Sequence, residues 1–168
     1  MRKVFGIGLS KTGTTSLSAA LAILGYRSKH FPKDEDFARY DAFSDITVAM
    51  KFKTLDRFFP GSQFIYTVRD EPGWLASCAR HFRQVHEKER QREIRRTFYK
   101  CGKFDEEKFR EAYWRHDEDV RIYFRDRQVD LLVLDIREGW GPLCRFLGRM
   151  PPAQPFPWQN KTFEKLDF

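Results

Sequence analysis

Apolar residues in this chain follow two rhythms that alternate along its length. Residues 3–7 are a short, nearly unbroken apolar run, the pattern of a strand buried on both faces. Residues 14–24 switch to helical spacing, with Leu17, Ala20, Leu21 and Leu24 on one face and Gly25 as a C-terminal stop. A short strand is expected over 26–31, ended by Pro32, and a further strand end over 42–46. Residues 48–59 predict an amphipathic helix stopped by Pro60-Gly61. Residues 63–68 form the clearest central strand, followed by Arg69-Asp70 and a helix that opens at Glu71-Pro72, where proline suits the first turn. A long helix runs from Asp105 to about Phe124, residues 131–134 form the last buried strand, and the proline-rich tail from Pro151 is irregular.

Strands that alternate with helices and read as continuous apolar runs predict an α/β fold in three layers, α/β/α, around a central parallel sheet. In such sheets ligands bind at the carboxyl ends of the strands. Gly8, Asp45, Arg69 and Asp135 all fall at such ends. A length of 168 residues fits one domain, 1–168. Aromatics at 16% argue against disorder, and the seventeen Phe predict a core filled with rings.

Charge narrows the ligand class. A net charge of +7 favours anionic ligands. Much of the excess lies from Arg80 to Arg96, where seven Lys or Arg face three Glu. That stretch reads either as a solvated helix face or as a surface for an anionic acceptor or polymer. Cys78, Cys101 and Cys144 are odd in number and lack metal-ligand spacing, which predicts free thiols in a reducing compartment. The apolar stretch near the amino terminus is too short for a signal peptide and no later run would span a bilayer, so a soluble cytoplasmic protein without a membrane partner is expected.

The strand-to-helix turn after residue 7 carries the chemistry. Gly8 and Gly13 have the G-x-x-x-x-G spacing of a phosphate cradle, in which backbone N–H groups and a helix dipole face an oxyanion. Lysine is displaced, however. A Walker A loop places it directly after the second glycine, where this chain has Thr14, while Lys11 sits inside the loop. Lys11, two Ser and three Thr crowd residues 10–16, in a turn that needed only glycine.

Ser10-Lys11-Thr12-Gly13-Thr14-Thr15 resembles the 5′-phosphosulfate loop of the sulfotransferases, Lys-Ser/Thr-Gly-Thr-Thr. Phe64 to Arg69 with Ser77 eight residues later, and then His81-Phe82, is similar to that family's 3′-phosphate motif. The Phe156-Pro-Trp-Gln-Asn160 tail is also similar to that of small stand-alone family members. The resemblance implies a P-loop-like sulfotransferase fold and transfer of a sulfuryl group from 3′-phosphoadenosine 5′-phosphosulfate (PAPS) to a hydroxyl or amine, with adenosine 3′,5′-bisphosphate as product. It implies that Lys11 stabilises the oxygen bridging phosphate and sulfate, and that Ser10, Thr12, Gly13, Thr14, Thr15 and Ser16 form the nucleotide loop. Arg69 would fork onto the 3′-phosphate with Ser77 facing it. No metal is expected, since cationic side chains take its place.

Sulfuryl transfer needs a base for the acceptor's proton. Family members carry His or Glu on a segment before the 3′-phosphate arginine; here that segment holds Asp45, 24 residues before Arg69. Asp45 is therefore the expected base, with an N-cap role as its alternative and His30 and His81 as other candidates. His116 reads as a packed helix residue. Two features differ from the cytosolic members: Ser16 replaces the aromatic that stacks on adenine, and the Arg-Lys-Gly loop is absent, leaving Arg145, Arg149 or Lys161 to substitute for it.

Two other functions fit parts of the chain. A nucleotide kinase or NTPase would use the glycine spacing and Asp135 at the end of residues 131–135. A non-catalytic module would bind nucleotide or polyanion through the basic stretch, although no nucleic-acid motif accompanies it. No motif names the acceptor or sets an oligomeric state.

Overall fold

In the computed structural model, which describes residues 2–84 and 88–158, five short strands form one wholly parallel sheet. They are β1 (Val4–Gly6), β2 (Ser28–His30), β3 (Ala42–Ser44), β4 (Gln63–Val68) and β5 (Leu131–Asp135), in the order β2-β3-β1-β4-β5. Register is set by pairs such as Phe5 with Phe43 and with Phe64.

Alternate residues of the central strands point to opposite faces. Val4, Ala42 and Ile65 pack against α1 (Thr14–Ile23) and α7 (Trp140–Leu147), through Leu17, Leu21 and Leu143. Phe5, Phe43, Phe64 and Tyr66 face α3 (Phe52–Phe58) and α6 (Glu106–Tyr123), meeting Phe52, Leu55 and Val120. The expected ring-filled core is here: Phe5 stacks on Phe43 with centroids 5.5 Å apart, and Phe64 meets Phe124 at 4.9 Å. These are the three layers that the apolar runs predict.

A third apolar cluster lies beyond the carboxyl ends of the strands. There α2 (Ile46–Ala49), α4 (Glu71–Gln84), α5 (Glu89–Tyr99) and the first half of α6 enclose Leu9, Trp74, Cys78, Tyr99 and Phe109. Tyr99 lies flat on Phe109, 3.9 Å between centroids and 3° between planes. This cluster is the floor on which the functional loops rest.

Several expectations are corrected. Residues 48–59 are not one helix; α2 and α3 are separated at Met50 and Lys51. The break serves two cores, because Ile46 and Ala49 pack into the third cluster while Phe52 and Leu55 turn onto the sheet. Strand β5 is an edge rather than a buried strand: Leu134 is buried, but Val133 is 37% exposed. The basic stretch from Arg80 to Arg96 is divided between α4 and α5. Helix α7 was not anticipated, although Gly148 ends it in the left-handed conformation with φ 63°. Gly25 does stop α1, at φ 90°. All three cysteines are free thiols. Residues 159–160 of the tail motif and Lys161 lie outside the described residues.

Glycine is obligatory at Gly8. A Cβ there would sit 1.8 Å from Thr67 Oγ1 and 2.6 Å from the Thr67 carbonyl, so the loop passes directly over β4. Gly8→Ala is expected to destabilise the fold by about 1–3 kcal/mol, the cost of overpacking. A melting temperature within 1 °C or so of the parent would contradict this close approach.

Candidate functional site

The loop between β1 and α1 is fastened from below before it offers anything to a ligand. Thr12 Oγ1 donates to the Leu9 carbonyl at 2.7 Å and meets Thr67 Oγ1 at 2.7 Å. Its one proton is spent on the carbonyl, so Thr67 is the donor in the second bond. Trp74 Nε1 donates to the Ser10 carbonyl at 2.9 Å, from full burial in α4. His116 reaches from α6 to donate to the Ile7 carbonyl at 2.7 Å. His116 is thus the packed residue expected.

Above these staples the chain turns twice through left-handed geometry, at Lys11 (φ 75°) and at Gly13 (φ 99°). Such alternation gathers consecutive N–H groups into an anion-facing concavity. Gly13 caps α1 without a side chain, and the first turn of that helix holds no acidic residue. No acidic side chain in that turn offsets the positive end of the helix. A Cβ on Gly13 would approach Ile136 at 3.0 Å, so the turn after β5 backs the cradle.

Cations converge on this loop. Lys11 is half-buried, and its pKa is lowered first by burial and then by Arg69 and Arg80; Cys78 and Asp45 act in the opposite direction. The sheet thus brings together Lys11 from the loop and Arg69 from the end of β4, as the sequence spacing suggests. Among the described residues Arg69 enters no ion pair, while its backbone carbonyl is held by Tyr113 Oη at 2.7 Å. Asp70 caps α4 by accepting from Gly73 N at 2.9 Å, which fixes the turn between Arg69 and the helix. Ser77 is buried on α4. Arg80, exposed on the same helix, is a cation that sequence spacing did not single out.

Asp45 closes the site on the other side. Its Oδ1 accepts from Ser10 Oγ and from Ile46 N, each at 2.7 Å. It does cap α2, the alternative role, and does so at φ 104° and ψ 177°, a backbone geometry glycine favours. Its Oδ2 lies 3.3 Å from His30 Nε2. His30 ends β2, the strand beside β3, and its Nε2 is also 3.4 Å from Thr15 Oγ1. His81 on α4 feels the same groups: burial and Lys11 lower its pKa, and Asp45 raises it. Tyr99 Oη is buried with no hydrogen-bond partner among the described residues, and its pKa is raised by burial first, then by Cys78 and Asp45.

The expected loop residues separate into two roles. Ser10, Lys11, Gly13, Thr14, Thr15 and Ser16 build the cradle and the start of α1. Thr12, implied as one of the residues of the nucleotide loop, has its side chain turned inward, where it ties the loop to β4. Asp135, on which a nucleotide-kinase reading rests, is bound by Arg137, whose Nε lies 2.9 Å from Asp135 Oδ1. No group of three or more His, Cys, Asp or Glu among the described residues is arranged to hold a metal. No described helix is long and apolar enough to cross a membrane.

A family model described as a sulfotransferase domain matches residues 3–36 and 32–164. No curated protein matches the chain.

Proposed function

The chain belongs to the sulfotransferase-domain family, and from that premise we propose that it transfers a sulfuryl group from PAPS to a hydroxyl or amine acceptor. One observation carries the reading: Lys11 lies half-buried inside the phosphate loop and within the electrostatic reach of Arg69, the strand-end arginine of a second motif. Such a pair of cations suits a nucleotide that carries two separate anionic groups.

Each residue has a defined task in this reaction. The loop amides from Gly13 onward and the positive end of α1 hold the 5′-phosphate. Lys11 neutralises charge on the bridging oxygen as the sulfur–oxygen bond to phosphate breaks. Burial and two neighbouring cations depress Lys11's proton affinity in the free protein, and an anion in the cradle reverses that depression. Arg69 takes the 3′-phosphate with a planar fork. Thr12 and Trp74 act by keeping the loop's shape. Preorganised charge and positioning then provide most of the acceleration.

Calorimetric titration tests the donor. Adenosine 3′,5′-bisphosphate is expected to bind at least tenfold tighter than ADP or ATP, because only it fills both anion sites. Preference for ATP overturns the proposal.

A further inference from the structure

We propose that His30, not Asp45, is the group that takes the acceptor's proton, with Asp45 and Ser44 as the positioning residues that hold its ring ready. This rests on the sulfuryl-transfer reading and adds to it a base on a different strand.

Asp45 Oδ1 is saturated by Ser10 Oγ and Ile46 N, both at 2.7 Å. Oδ2 faces His30 Nε2 at 3.3 Å, and the Asp45 side chain is only 10% exposed against 32% for His30. The ring is therefore the more accessible of the two groups to an acceptor.

The tautomer is set from the other side of the ring. Ser44 Oγ donates to the Thr14 carbonyl at 3.0 Å. A hydroxyl has one proton, so toward His30 Nδ1, 3.1 Å away, that oxygen is an acceptor. Nδ1 then carries the hydrogen, and in the neutral ring the lone pair falls on Nε2. Nε2 lies between Thr15 Oγ1 at 3.4 Å, on the first turn of α1, and Asp45 Oδ2 at 3.3 Å. The basic nitrogen is thus placed between the phosphate cradle and a carboxylate ready to pair with the imidazolium.

The step balances without a further reactant. The acceptor oxygen bonds to sulfur while its proton moves to Nε2. The bond from sulfur to the bridging oxygen breaks, and its electron pair stays on the phosphate beside Lys11. The imidazolium is then ion-paired with Asp45 until it loses the proton to water.

Long-range proton–nitrogen NMR of the whole protein, at a pH where imidazole is neutral, reads the tautomer directly. His30 is expected with hydrogen on Nδ1, and Ser44→Ala is expected to shift the population toward hydrogen on Nε2. A second arm follows release of adenosine 3′,5′-bisphosphate from PAPS with 4-nitrophenol as acceptor. There His30→Gln is expected to lose about 10²–10⁴-fold in kcat, and Asp45→Asn less. Hydrogen on Nε2 in the parent protein, or a larger loss in Asp45→Asn than in His30→Gln, overturns the assignment. The nucleotide titration fails by itself if the donor reading is wrong, because the tautomer does not depend on it.

Discussion

Replacing Lys11 with alanine is expected to lower turnover of PAPS by roughly 10²–10³-fold, the scale for removing one preorganised charge-stabilising group. Adenosine 3′,5′-bisphosphate keeps that oxygen as a terminal phosphate oxygen but has no sulfur–oxygen bond to break, so its affinity is expected to fall by only about tenfold, the scale of one charge-assisted bond. That split separates transition-state stabilisation from ground-state binding. Lys11 occupies φ 75°, where alanine is no more comfortable than lysine. Loss of fold is therefore not the expected cause, and Lys11→Gly, which relaxes the backbone, serves as the control. Turnover within threefold of the parent in both variants would remove Lys11 from the mechanism.

Arg69→Ala is expected to weaken adenosine 3′,5′-bisphosphate by about 10–150-fold, equivalent to about 1.5–3 kcal/mol for a charge-assisted bond to phosphate. ADP, without a 3′-phosphate, should lose less than threefold. The backbone at residue 69 stays in place in the variant, because Tyr113 Oη grips its carbonyl and Asp70 caps α4 independently of the guanidinium. Calorimetry on both nucleotides decides the matter: parallel losses would show that Arg69 contributes general positive charge and reads no ribose phosphate.

Much of this arrangement is legible in the chain because it depends on local pattern. β1 and β4 are buried on both faces and announce themselves as apolar runs. Gly8, Gly13 and Lys11 sit at spacings that only a strand-to-helix turn explains. Features that depend on what lies opposite are not legible. Nothing in the Thr12 neighbourhood says that Thr67, 55 residues later, will absorb its hydroxyl. The kink between α2 and α3 arises because two separate clusters pull on one amphipathic pattern. His30 meets Asp45 only because sheet order places β2 beside β3. Arg80 reaches Lys11 through the placement of α4, and one-dimensional spacing does not encode that.

The backbone at Asp45, with φ 104° and ψ 177°, belongs to a region that side chains enter at a cost of about 1–3 kcal/mol. Glycine would relieve that cost but would give up the carboxylate that accepts from Ser10 Oγ and Ile46 N and faces His30, so the phosphate loop, α2 and the edge strand β2 are all fastened through one strained residue.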